Sequence, residues 1–277
     1  MNYNKLTAIK SFLSNFSLAD KIALSLFTLL SFIHFLAVPI NVFPPDGWFF
    51  SQNLLFANLN EFTYRAVPVS VPAVTYKIGH IINVLLGLEH KYEFYIDVLF
   101  QHSFLIIGAF LIYKTIIRFT NNIIAIAGAL WYQLFVLAQH IPNSFFSENF
   151  SFLFISILFF LSSRFIKTDK NFNAGKTAIY LGLFHGLWII TRFAPILMLP
   201  FFGLWIFINT EKKPVLNVGK YVGVIGLICL LQMSSNYMRY HSFELTPSGR
   251  ANYYHSMTYK ADTFLEHNET YETLTEE

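Results

Sequence analysis

Asp46 stands in the stretch Pro44-Pro45-Asp46-Gly47-Trp48-Phe49-Phe50, which follows the first long apolar run and opens the first polar loop. Held against a membrane surface between prolines and aromatics, its carboxylate is a candidate catalytic base, able to take the proton of an attacking hydroxyl. Glu148 follows the string Pro142-Asn143-Ser144-Phe145-Phe146-Ser147 and precedes another apolar run, with His140 just upstream. Arg192, in Thr191-Arg192-Phe193-Ala194-Pro195, occupies a turn between two apolar runs with almost no loop between them. An arginine costs about 2.5 to 3.5 kcal/mol at mid-membrane and less toward the interface, so it calls for a partner or an anion. Phosphate suits it, because the planar fork of the guanidinium binds two oxygens at once.

Each of these residues also has a plainer use. Asp46 is a good N-cap for a helix that follows it, and Glu148 can cap its own helix or stay solvated. Arg192 can reach lipid phosphate as an ordinary anchor. His34, His102 and His185 fall inside apolar runs and read as core residues with satisfied ring nitrogens. Neither an HExxH nor a CxxC spacing occurs, and the only cysteine, Cys229, lies in an apolar run, which excludes a disulfide framework.

The elements that hold these residues are set by composition. Of 277 residues 55% are hydrophobic, 32 are Phe and only 13% are charged, about half the charged share of a soluble domain. Long apolar runs make lipid the main solvent, and the reading is an all-α polytopic membrane protein. A net charge of +3 spread over many loops gives no basis for a nucleic-acid partner. The N-terminal run from Lys21 to Phe43 exceeds a signal-peptide core and ends in no small-residue cleavage site, so it reads as a retained first span.

In chain order, span one covers about Ile22 to Phe43. Asp46 to Tyr64 then puts Trp48, Leu55, Leu59 and Phe62 on one helical face, the pattern of an amphipathic helix lying on the membrane. Pro68 and Pro72 break the chain. Ala73 to Leu88, short and carrying Lys77 and His80, reads as interfacial or re-entrant. Six more spans follow at about Phe94 to Tyr113, Ile123 to His140, Phe150 to Ser163, Thr177 to Ile190, Ala194 to Asn209 and Tyr221 to Tyr237. With seven spans, twelve of the nineteen basic residues fall on the side of the N-terminus, including Lys114, Arg118, the Arg164 to Lys176 group, Lys212, Lys213 and Lys220. The positive-inside rule makes that side cytoplasmic. Asp46, His140, Glu148 and Arg192 then share the outer face, with Arg65 and Lys77 on the first outer loop. Residues 1–239 form one transmembrane domain whose outer loop is 44–93, and 240–277 is a polar segment outside.

The order of a cytoplasmic N-terminus, one span, an outer loop opening with Asp46, an amphipathic helix ending near Tyr64, and Pro68 to Pro72 before a surface helix resembles the GT-C membrane glycosyltransferases. The likeness is to the bacterial branch similar to protein mannosyltransferases and aminoarabinose transferases. Ser147-Glu148 opening span four, the Gly182 to Gly186 stretch ending in Thr191-Arg192, and Asn236-Tyr237-Met238-Arg239-Tyr240 before Pro247, Ser248 and Gly249 also resemble that family. The resemblance covers roughly Ala23 to Ala261.

It implies a transferase that moves a sugar from a polyprenyl-phosphate donor to a lipid, glycan or protein acceptor on the outer face of a bacterial inner membrane. Asp46 matches the position of the family's base and Glu148 a second acidic position, which could orient the acceptor or help hold a divalent metal. Arg192 would stabilise donor phosphate, with Arg65, Lys77 and His140 as further binding candidates. Here Gly47 follows Asp46 where many relatives carry a second acid, and relatives usually continue with more spans. Two other readings stay open: a transporter or flippase for a lipid-linked sugar, and a noncatalytic subunit or inactive fragment.

Overall fold

The computed structural model describes residues 16–39, 78–79, 81–87, 93–143, 148–166, 172–192, 194–240, 243 and 245. Seven helices make up most of this: α1 (Leu18–Ala37), α2 (Glu93–Ile116), α3 (Asn122–Ala138), α4 (Glu148–Ile166), α5 (Ala174–Thr191), α6 (Leu199–Ile208) and α7 (Pro214–Tyr240). Each of the seven apolar segments expected to be a span overlaps one of them. The expected surface helix after Asp46 lies outside the described residues. Of the Ala73 to Leu88 segment, 78–79 and 81–85 are helical and the stretch ends on Gly87 with φ 62.

Local chemistry sets the helix ends. Ser17 caps α1 reciprocally: its hydroxyl accepts from the Asp20 N–H at 3.2 Å, and Asp20 Oδ2 accepts from the Ser17 N–H at 3.1 Å. Asn121 and Asn173 cap α3 and α5 through side-chain oxygens that accept from Ile124 and Lys176 N–H groups at 3.0 Å. α1 stops at Ala37, short of the expected Phe43, because Val38 precedes Pro39 and takes the extended conformation that such residues favour (φ −105, ψ 126). The expected span Ala194 to Asn209 is split into a 3-10 turn (Ala194–Met198) and the ten-residue α6. Pro200 removes the amide donor that a continuous helix would need at that point, whereas Pro195 falls in the first turn, where no donor is needed.

Among the described residues three helical stretches are long and apolar enough to cross a membrane: Leu18–Ala37, Val98–Ile116 and Pro214–Ser234. Asn122–Ala138, Phe150–Ile166 and Ala194–Ile208 are apolar but shorter. Seventeen residues such as α3 rise only about 26 Å, a little less than the hydrocarbon core. The surface is apolar: Leu36, Trp131, Phe201 and Leu231 are each more than 60% exposed, while Gln101, Gln133, Asn143 and His185 are buried. Apolar groups outside and hydrogen-bonded polar groups inside is the pattern lipid imposes, and it points to a membrane protein.

α2 packs against α1, α3 and α4; α4 continues to α5, and α5 lies along α7. Alanines bring the first group close, with Ala23, Ala109, Ala125 and Ala129 buried beside Phe27 and Tyr113. Glycines do the same for α5 and α7: a Cβ on Gly182 would meet the Tyr221 carbonyl oxygen at 2.5 Å, and one on Gly186 the Ile228 side chain at 2.7 Å. Helix direction alternates along the chain. Lys114 Nζ reaches Asp20 Oδ1 at 2.6 Å at one end, where Lys21, Arg118, Arg164, Lys176, Lys212, Lys213 and Lys220 also lie by their positions on the helices. Arg192 and Arg239 belong to the opposite end.

Candidate functional site

The end opposite the lysines gathers the C-terminus of α1, the first third of α2 and the connection from α3 to α4. Three histidines and an asparagine meet there. Asn143, in a 3-10 turn (Ile141–Asn143), donates from Nδ2 to the Val38 carbonyl at 2.7 Å. Its Oδ1 accepts from His102 Nε2 at 2.7 Å and lies 3.2 Å from His34 Nδ1. His34 Nε2 is 3.0 Å from the Leu137 carbonyl oxygen and 3.4 Å from His140 Nδ1. His140 is exposed and follows the end of α3 with φ 53, a left-handed conformation that costs a non-glycine residue about 1 kcal/mol or more. Its N–H still donates to the Leu137 carbonyl at 2.8 Å, and its own carbonyl accepts from Asn143 N–H at 3.2 Å.

Arg192 ends α5. Its backbone N–H donates to the Trp188 carbonyl at 2.8 Å, its conformation is extended (φ −145, ψ 132), and its side chain is exposed. The turn after it is pinned from within, because buried His185 donates from Nε2 to the Pro195 carbonyl at 2.9 Å while its Nδ1 accepts from the Tyr221 hydroxyl of α7. Trp188 also lines an apolar cavity of about 400 Å3. Ile155, Phe159 and Ile166 of α4 border it on one side and Met198, Phe202 and Trp205 on another. From Ile155 to Ile166 the α4 wall extends about 16 Å, so the cavity is elongated along the helix axes.

His140 and Arg192 are thus on described backbone at the end expected from the sequence. Glu148 is the first residue of α4, and its side chain lies outside the described residues. Asp46, Arg65 and Lys77 also lie outside them. Among the described residues no group of three or more His, Cys, Asp or Glu is arranged to hold a metal ion. His34 and His102, expected as core residues with satisfied ring nitrogens, take their hydrogen bonds within one polar cluster that also holds His140. The available signal was depth: His34 near the end of one apolar run and His102 near the start of the next share a level once the helices reverse.

No protein family, characterised protein or solved structure matches the chain.

Proposed function

We propose that the chain is a seven-span, GT-C-like glycosyltransferase that moves a sugar from a polyprenyl-phosphate donor to an acceptor on the extracytoplasmic face, with Asp46 as base. The observation that carries this reading is an apolar cavity of about 400 Å3 lined by Trp188, one helical turn before Arg192, whose backbone N–H donates to the Trp188 carbonyl at 2.8 Å. A polyprenyl phosphate has a matching pair of features, a long apolar chain and an anionic head. The lysine-rich end would face the cytoplasm by the positive-inside rule, which places Arg192 outside.

In this mechanism a phosphate leaving group needs little help from an acid. Transfer requires one carboxylate to take the acceptor's proton and cations to hold the phosphate as its charge develops. Asp46 takes the first role and Arg192 the second, while Glu148 orients the acceptor or joins a divalent-metal site. The test is transfer of sugar, or slow release of it to water, from polyprenyl-phosphate sugars in membranes that contain the chain and not in membranes that lack it. Movement of the intact lipid-linked sugar across the bilayer without cleavage would favour a flippase instead.

A further inference from the structure

We propose that His34, together with Asn143, Leu137 and His140, is a proton-binding site that fastens the end of α1 to the α3–α4 connection. While its ring is neutral, His34 cannot donate to both of the oxygens it faces. The Val38 carbonyl can only accept, so the group 2.7 Å from it is the amide nitrogen of Asn143. Oδ1 of Asn143 therefore faces both histidines and can only accept. His102 meets it with Nε2 as an N–H donor at 2.7 Å. His102 Nδ1 is then the bare nitrogen of a neutral ring, buried and without a hydrogen-bond partner among the described residues.

His34 is different. Its Nδ1 faces the same Oδ1 at 3.2 Å and its Nε2 faces the Leu137 carbonyl at 3.0 Å. Both neighbours are pure acceptors, whereas a neutral imidazole has one N–H to give. A neutral His34 leaves one of these contacts as lone pair against lone pair. One added proton makes both into hydrogen bonds, each strengthened by the charge. His140 Nδ1, 3.4 Å from His34 Nε2, is placed to take or return that proton, and its exposed ring links the site to water.

No described opposite charge competes for this role. The titratable groups that face His34 from neighbouring elements are His102 on α2 and His140 beyond α3. Asp20, on the same helix, is fourteen residues away, about 21 Å, and is paired with Lys114. The side chains of Glu93, Asp97 and Glu148 lie outside the described residues. The site therefore rests on hydrogen-bond acceptors. Its consequence is mechanical: the His34 ring bonds Asn143 and Leu137 together when it holds two protons and one of them when it holds one, while the Asn143 Nδ2 bond to the Val38 carbonyl is present in both states. The chain leaves α1 at Val38, eight residues before Asp46, so proton uptake adds to the hold on the origin of that loop.

The experiment is nitrogen NMR of the full chain with 15N-labelled histidine rings in lipid nanodiscs, from roughly pH 5 to pH 8, bracketing the ordinary histidine value near 6.5. His34→Gln identifies the His34 signals by their loss. The expected result is a His34 ring with both nitrogens protonated at the acidic end, reverting to one N–H as pH rises. Asn143→Asp replaces the neutral acceptor by a charged one and should let the doubly protonated ring persist at a proton concentration at least about tenfold lower. That shift also marks the His34 resonance if His34→Gln does not fold. A His34 ring with a single N–H throughout, or a titration that Asn143→Asp leaves unmoved, would overturn the proposal.

Discussion

Arg192 owes its place to backbone: its N–H closes the last turn of α5 on the Trp188 carbonyl, and the following turn is held by the His185 bond to the Pro195 carbonyl. Arg192 is thus an exposed residue on a fixed backbone anchor, one turn beyond Trp188 of the apolar cavity. If it holds the donor phosphate, Arg192→Gln should raise the donor KM by about ten- to a hundredfold, the worth of one or two charge-assisted hydrogen bonds. Arg192→Lys should recover part of the loss, since it keeps the charge but not the two-oxygen grip. Steady-state kinetics over a range of donor concentrations separates these outcomes. The position of Arg192, Glu148 and His140 at helix ends is legible in the sequence because polar side chains stand out where closely spaced apolar runs meet, and burying one in lipid is costly. The histidine cluster is not, because its bonds join residues 41 to 109 positions apart. No local spacing carries that pairing.

At the scale of elements, glycines let α5 and α7 approach closely. Gly182 lies against the Tyr221 carbonyl so tightly that its own missing Cβ makes the contact possible, and the obstacle is backbone, which cannot swing aside. Gly182→Ala should therefore cost about 1 to 3 kcal/mol by overpacking. Gly219→Ala on α7, where a Cβ meets nothing within 4 Å, should be neutral or stabilising by up to about 1 kcal/mol from helix propensity alone. Reversible unfolding in mixed micelles measures both, and an equal effect of the two substitutions would refute a backbone-limited α5–α7 contact. Helix existence is the part of the fold that apolar runs make legible. Boundaries are missed where a proline falls inside an apolar run: Pro39 follows the end of α1 at Ala37, short of the expected Phe43. The same holds at Ala194 to Asn209, where apolarity suggests continuity and Pro200 divides the segment.

For the whole molecule, alternation of seven helices puts the lysine-rich end and the Arg192 end on opposite sides, and the functional reading needs the second to face outward. In a Cys229→Ala background, Asp46→Cys, Glu148→Cys and Arg250→Cys should react with an impermeant thiol reagent in intact cells, and Thr168→Cys should not. Labelling at 168 with none at the other three would invert the topology and remove the proposed chemistry from the outer face. The most direct measurement is sugar transfer from polyprenyl-phosphate donors in membranes holding wild type or Asp46→Asn at matched expression. The expected result is activity in the wild type and a loss of about a hundredfold or more in Asp46→Asn, the scale of removing a general base. Equal activity in the two would contradict the role given to Asp46, and no transfer or donor hydrolysis in either would contradict the transferase itself.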